Sequence, residues 1–230
     1  VRGLKADLHG HSYEPVNMPG LISKLPNLES INAEGKDVLL GIVQGALLAK
    51  KLTSLDIQRE SPDHSHLGPQ SRIIEGRRER RAVQLFQESL RTISHHDWSL
   101  LHVLSVEGLD MTMSVQLMKG LLRLSSLTEL RLHSCTFNNE SFNLIQPGSW
   151  PCLRLLDLGY LKSEDPTVNI RPLLHLTGLK DLWLQSTGVR HQNAGIIGHA
   201  IAQIQPGSWP RLEELLIDGN ALSNNPVAAM

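Results

Sequence analysis

The sequence predicts an α/β solenoid, in which short parallel strands line one face and helices pack behind them. Two observations predict it: a leucine pattern that recurs along the chain, and apolar stripes at helical spacing between its copies. The pattern has the form L-x-x-L-x-L, and its frames start near residues 1, 28, 52, 101, 127, 153, 179 and 212. Three successive spacings are 26 residues, and a fixed period of this length indicates stacked structural units.

The strand and the helix of each unit follow from side-chain spacing. Successive residues of a strand point to opposite faces, so the last two apolar residues of each frame share one face. Apolar residues at helical spacing lie between frames, in the segments 38–47, 83–93, 115–122 and 194–204. A single unit cannot bury its apolar face, whereas stacked units share a continuous core.

The hexapeptide QPGSWP occurs twice, at residues 146–151 and 205–210, each time directly before a leucine frame. Its tryptophans, Trp150 and Trp209, therefore stand three residues before a frame start. The same position is apolar in the other frames from residue 28 onward: Leu25, Ala49, Trp98, Leu124 and Leu176. We interpret the proline and glycine as a helix stop, the tryptophan as a core residue, and the following proline as setting an extended approach to the strand. A ligand-binding role for the tryptophan is the alternative.

We expect one domain over residues 1–230, with about eight repeats. The interval from 52 to 101 is about twice a normal unit, and its polar, turn-rich stretch predicts a loop insertion over residues 60–75. A degenerate unit or one long helix over residues 75–94 fills the rest. An arginine cluster at the start of that segment is interpreted as a solvated helix face. The alternative is a nuclear-import signal or a patch that binds an acidic partner.

Composition excludes several classes of partner and compartment. The chain has 22 Lys and Arg against 23 Asp and Glu, so no overall charge favours nucleic acid or an anionic membrane. Its longest nearly apolar run, residues 38–49, is too short to cross a bilayer, which needs about 20 residues. Two cysteines cannot build a disulfide framework, so we expect a reducing, cytoplasmic or nuclear setting. The start lacks both Met and a signal peptide, and we interpret it as an internal cut.

Two stretches carry a resemblance to a known family. LTELRLHSC at residues 127–135 and LEELLIDGN at residues 212–220 match the pattern L-x-x-L-x-L-x-x-N/C, with Cys135 and Asn220 in its last position. The chain thereby resembles the leucine-rich-repeat family, although other frames depart at that last position and leave the subtype open. The resemblance implies a curved horseshoe, with parallel strands on the concave face and helices on the convex face, that binds other proteins.

The resemblance offers two subfamilies. Residues 126–145 look like the cysteine-containing repeats of F-box proteins, and the 26-residue period agrees. That reading implies the substrate-recognition part of a ubiquitin ligase adaptor. Residues 193–220 look like ribonuclease-inhibitor-type repeats, which would imply the ligand-sensing domain of a nucleotide-binding immune receptor.

One segment suggests an enzyme instead. DLHGHS at residues 7–12 resembles the opening motif of metal-dependent hydrolases, in which two histidines, here His9 and His11, could bind one metal ion. Such sites need further ligands, for which the chain offers Asp63, His64, His66, His95 and His96. These do not fall at predicted strand ends, and no phosphate-binding loop, nucleophile elbow or dinucleotide motif appears. No loop arginine stands out for a GTPase-activating protein. We therefore expect no catalytic residues, metal or cofactor.

The candidate binding residues are those that alternate with the buried leucines and so face the concave side. Of the 24 such positions, nine carry carboxylates and two carry lysine or arginine, which predicts a protein partner with a basic segment. Trp183 is expected to stand exposed as an anchor beside carboxylates, unless it merely packs on neighbours. The full set of predicted binding residues is Asp56, Glu107, Glu129, Arg131, His133, Asp157, Asp181, Trp183, Gln185 and Asp218.

Overall fold

The structure, a computed structural model, describes residues 4–9, 24–25, 27–34, 49, 51–58, 84, 87, 98–107, 112–163, 169–185, 204–205 and 207–217. Over these residues the chain is an α/β protein with parallel strands and few helices. The predicted α/β class is therefore confirmed. The predicted loop insertion at residues 60–75 lies outside the described residues.

Two parallel sheets run side by side through the molecule. The large sheet consists of eight strands: β1 (Leu4–His9), β2 (Leu28–Glu34), β3 (Ser54–Gln58), β4 (Val103–Glu107), β6 (Glu129–Leu132), β8 (Leu155–Asp157), β10 (Asp181–Trp183) and β11 (Glu214–Leu216). The small sheet consists of three strands: β5 (Thr112–Met113), β7 (Thr136–Phe137) and β9 (Lys162–Ser163). In both sheets the spatial order of the strands equals their order along the chain. Each predicted frame contains one strand of the large sheet, whereas the sequence patterns did not predict the small sheet.

The leucines of successive frames lie directly beside one another. Leu130 is the register partner of Leu104 on β4 and of Leu156 on β8, and Leu156 is in turn the partner of Leu182 on β10. These four side chains are at most 1% exposed. The constant spacing of the frames places like residues opposite each other, so the leucines of neighbouring units share one core, as predicted. Leu215 continues the row on β11.

Helix α1 (Val115–Leu122) covers the apolar stripe predicted there. The Ser114 hydroxyl accepts a hydrogen bond from the Leu117 amide at 3.3 Å and so caps its first turn. Leu117, Met118 and Leu121 are buried and belong to the hydrophobic core. Within the described part of the chain, no helix is long and apolar enough to cross a bilayer.

Two shorter helical segments occupy the same place in the following units. Helix α2 (Asn139–Phe142) begins with a capping box, in which the Asn138 side chain and the Ser141 side chain each bond the other's backbone N–H. A 3-10 helix follows at Arg171–His175. Segments of four and five residues are too short to show a helical stripe, so the sequence did not predict them. Of the other predicted stripes, 38–47 lies outside the described residues, as do most of 83–93 and 194–204.

The first half of QPGSWP forms a tight turn. The Ser149 amide donates to the Gln146 carbonyl at 2.9 Å, and Gly148 has a φ of 88°. Proline at the second position and a positive φ at the third are the requirements of a type II turn. A second hydrogen bond stabilises the turn, because the Gln146 amide donates to the Ser149 hydroxyl at 3.0 Å. The second copy repeats both bonds, with Gly207 at a φ of 85°.

The second half of the motif leads into the strand through another turn. In seven units the carbonyl three residues before the frame start accepts a hydrogen bond from the frame-start amide, at 2.9–3.2 Å. Pro151 and Pro210 occupy the second position of such turns, so the predicted extended approach is wrong. The reason is that the fixed φ of proline suits the second turn position as well as it suits an extended chain. Trp98, Trp150 and Trp209 are buried, at 4–7% exposure, which confirms their interpretation as core residues.

Candidate binding face of the large sheet

The candidate site is the side of the large sheet that carries Asp56, Glu107, Arg131, His133 and Trp183, here called the polar face. On β3, β6 and β10, half-buried residues alternate with fully buried ones, as predicted. The half-buried members include Asp56, Arg131 and Trp183. Glu107, at the end of β4, is exposed. Because the strands are parallel and in register, these side chains form rows that run across the sheet from unit to unit.

Strand β8 departs from the predicted alternation, since all three of its residues are buried. Leu155 is 8% exposed and Asp157 only 1%. Asp157 was expected to be presented to a partner, and the structure shows instead that it is covered. Its burial is possible because both carboxylate oxygens have hydrogen-bond partners, and a buried charge without partners would be strongly unfavourable.

The partners of Asp157 are His133 and Gly159. The Nε2 atom of His133 lies in very short hydrogen-bond contact with Asp157 Oδ2, and the Gly159 amide donates to Asp157 Oδ1 at 2.9 Å. The other ring nitrogen, Nδ1, lies 3.6 Å from Glu107 Oε1. We call Glu107, His133 and Asp157 the His133 cluster. It joins the carboxyl ends of three neighbouring strands, β4, β6 and β8.

The His133 cluster favours the charged form of its imidazole. The hydrogen bond to Asp157 raises the pKa of His133 above its ordinary value of 6.5, and the negative charges of Asp157 and Glu107 act in the same direction. Partial burial and the positive charge of Arg131 oppose that rise. An imidazolium held between two carboxylates neutralises part of the acidic charge of the polar face.

Gly159 packs closely against this cluster. A Cβ atom at position 159 would lie 3.2 Å from Asp157 Oδ1 and 3.4 Å from the His133 ring. The next residue, Tyr160, has a φ of 56° and is 57% exposed. Its ring centroid lies 6.3 Å from that of His133, so an accessible phenol borders the cluster.

Trp183 is half-buried, and its indole Nε1 donates to Glu214 Oε2 at 3.2 Å. It is therefore held toward β11, which corrects the expectation of a fully exposed ring. The amide of Asp181, two residues earlier on β10, donates to the Arg154 carbonyl at 2.9 Å, whereas its carboxylate makes no hydrogen bond or ion pair with the described residues. Gln185, just beyond the strand, is half-buried, and its carbonyl accepts from the Tyr160 amide at 2.9 Å.

Other predicted site residues are paired within the sheet. Arg131 forms an ion pair with Glu129 at 2.9 Å on the same strand. Asp56 Oδ2 accepts from the Gln58 side chain at 3.0 Å, while Asp56 Oδ1 is enclosed without a hydrogen-bond partner among the described residues. Asp218 lies outside the described residues. The polar face therefore holds internal pairs together with carboxylates that keep unused acceptor capacity.

Sequence reasoning missed three contacts of the face. No sequence pattern indicated that Glu214 would hold Trp183 or that Tyr160 would border the His133 cluster. The pairing of His133 with Asp157 was missed as well, although a signal for it exists. Arg131 and Asp157 are register partners, so His133, two residues later, comes to the same end of the sheet as Asp157.

The proposed metal motif receives no support from the described residues. Among them, no group of three or more His, Cys, Asp or Glu side chains could hold a metal ion. The backbone of His9 belongs to β1, and His11 with the other candidate ligands lies outside the described residues.

A groove with a volume of about 770 Å³ lies between the two QPGSWP turns. Gln146 and Gln205, the first residues of the two copies, line it together with Arg171 and His175. Trp150 and Trp209 do not line it, because their rings are buried in the core. The alternative that the tryptophans bind a ligand is therefore not supported.

Neither a protein-family model nor a curated protein matches this sequence.

Proposed function

We propose that the chain is a leucine-rich-repeat domain that acts as a non-catalytic scaffold and binds a partner protein through a basic segment. The observation that carries the proposal is the repetition of one geometry: a strand in every frame, leucines in register behind it, and polar side chains in rows in front. A rigid sheet that repeats in this way offers an extended surface suited to a peptide or a protein. The horseshoe curvature, with the polar face concave, is part of the proposal.

The charge of the polar face supports a basic partner. Carboxylates outnumber basic groups there, whereas the whole chain is nearly neutral. Such a surface speeds the encounter with a cationic segment and rejects an acidic one. The carboxylates with spare capacity that a partner can reach are Glu107 and Asp181, since the unpaired Asp56 Oδ1 is enclosed.

Trp183 supplies the apolar anchor in this proposal. A half-buried indole fixed by Glu214 loses little rotamer entropy on binding, which favours its use as an energetic centre of an interface. Its face can cover the aliphatic stem and the charge of a partner lysine or arginine.

The arrangement of the His133 cluster supports a non-catalytic reading. Both ring nitrogens face carboxylates, so neither is directed toward a serine or cysteine nucleophile. The resemblance of residues 126–145 to F-box repeats favours a role as the substrate-recognition part of a ubiquitin ligase adaptor, in the cytoplasm or the nucleus. The buried Cys135 agrees with that repeat type.

The experiment is peptide binding measured by fluorescence anisotropy at low salt. The purified chain should bind an arginine- and lysine-rich nonapeptide and should not bind its glutamate-rich counterpart. Asp181→Asn and Trp183→Ala should each weaken binding by about tenfold, the range expected for an interface centre. Glu213→Gln is the matched control, since it removes a carboxylate that pairs with Lys180 outside the polar face. Equal weakening by the control, or equal binding of both peptides, would refute the proposed function.

A further inference from the structure

We propose that His133 regulates the polar face by proton binding: its neutral form increases the affinity for a cationic partner, and its protonated form lowers it. The inference rests on the proposed function and adds its regulation. It starts from geometry, since His133 lies between carboxylates of both neighbouring units, Asp157 on one side and Glu107 on the other.

The charged groups around His133 come from every strand packed against it. Strand β4 contributes Glu107, β6 contributes Arg131, and β8 contributes Asp157. Tyr160 follows β8 and borders the ring. Arg131 is engaged by Glu129 on its own strand, so its charge is already balanced. His133 is therefore the titratable cation that offsets Glu107 and Asp157.

Protonation changes the charge of the His133 cluster without dismantling it. With an imidazolium, the two carboxylates and one cation carry a net charge of one negative unit. With a neutral imidazole, the net charge is two negative units. A neutral ring still donates one N–H, which can remain on Asp157, and the Gly159 amide holds the other carboxylate oxygen in both states. The partner therefore meets the same surface with a different charge.

The position of the switch on the pH scale follows from the same contacts. The pKa of His133 is raised above 6.5 by the Asp157 hydrogen bond first, and then by the nearby negative charges. The change of charge therefore occurs above pH 6.5. Binding of a cation should strengthen as pH rises through this pKa, because the competing imidazolium is then lost.

The experiment repeats the anisotropy measurement with an arginine- and lysine-rich nonapeptide from pH 6.0 to 8.5. Affinity of the unmodified chain should rise roughly threefold at low salt, the effect of one unit charge at about 7 Å in a water-like dielectric. His133→Gln keeps a side-chain donor and should remove this dependence. His102→Gln is the matched control, because His102 is exposed and lies before its strand. It should leave the dependence unchanged.

A second experiment measures the titration of His133 without the peptide. The imidazole C2 proton of His133 is followed by NMR across the same pH range, and Asp157→Asn should lower its midpoint. If the peptide binds but its affinity is independent of pH, or if His133→Gln keeps the dependence, the regulation is refuted and the proposed function stands. If no pH permits peptide binding, the proposed function fails and the regulation fails with it.

Discussion

The indole N–H of Trp150 donates a 2.8 Å hydrogen bond to the carbonyl oxygen of Leu121, at the end of α1 in the preceding unit. Trp209 makes the equivalent bond, at 2.9 Å, to Leu173 in the 3-10 helix of its own preceding unit. In both copies of QPGSWP, the turn therefore positions a tryptophan whose indole hydrogen bond connects two adjacent units. This shared contact explains why the hexapeptide occurs twice.

Replacing Trp150 by phenylalanine should lower the free energy of unfolding by about 0.5–1.5 kcal/mol, because one buried hydrogen bond is lost while the Leu121 carbonyl still accepts from the Leu124 amide. Urea denaturation measures the change. Trp183→Phe is the control, since its lost bond to Glu214 lies on the half-exposed polar face and should cost less. Equal losses at the two positions would contradict a special role for the buried bond.

Leu130→Ala tests the leucine row. This side chain is fully buried between Leu104 and Leu156, so truncation leaves a cavity that should cost about 2–5 kcal/mol. Trp183→Ala removes a larger side chain from the polar face and should cost only about 1 kcal/mol. Thermal and urea unfolding of both variants measure the two losses of stability. If the two lost the same stability, the assignment of buried and presented faces would be wrong.

Gly148→Ala tests the turn. An added Cβ would meet no atom within 4 Å, so any loss must come from the positive φ of 88° rather than from a clash. The expected loss is about 1–2 kcal/mol. Gly148→Asn is the comparison, because asparagine tolerates a positive φ better and should lose less. An alanine variant as stable as the unmodified chain would show that the turn adopts another conformation.

The His133 cluster should make stability depend on pH. The folded pKa of His133 is raised above its ordinary value of 6.5, so its stabilisation is fully present below that value. It is lost as pH rises through the folded pKa. Urea unfolding at pH 6.0 and 8.5 should therefore show a larger decline for the unmodified chain than for His133→Gln. Identical declines in the two proteins would show that the pairing with Asp157 adds no stability.

Much of the fold could be predicted because it depends on spacing. The frame positions placed every strand of the large sheet, and the stripe at residues 115–122 predicted α1. The prediction failed where a feature is short or depends on contacts. The strands of the small sheet have two residues each, and they exist because neighbouring units bring Thr112, Thr136 and Lys162 into register. The prediction of an extended chain at the proline after each tryptophan was wrong for a related reason. The fixed φ of proline fits a turn as well as an extended chain.

The sequence by itself determined most of the core leucines and, on β3, β6 and β10, which side of the strand carries polar residues, because alternation along a strand is a local property. Only the tertiary structure decided how those polar residues pair. Asp157 became buried and His133 became its partner because parallel strands place residues from separate units within bonding distance. Trp183 turned toward Glu214 for the same reason. A single strand does not encode which side chain will lie beside it, so the charge state and the accessibility of the polar face arise only when the units stack.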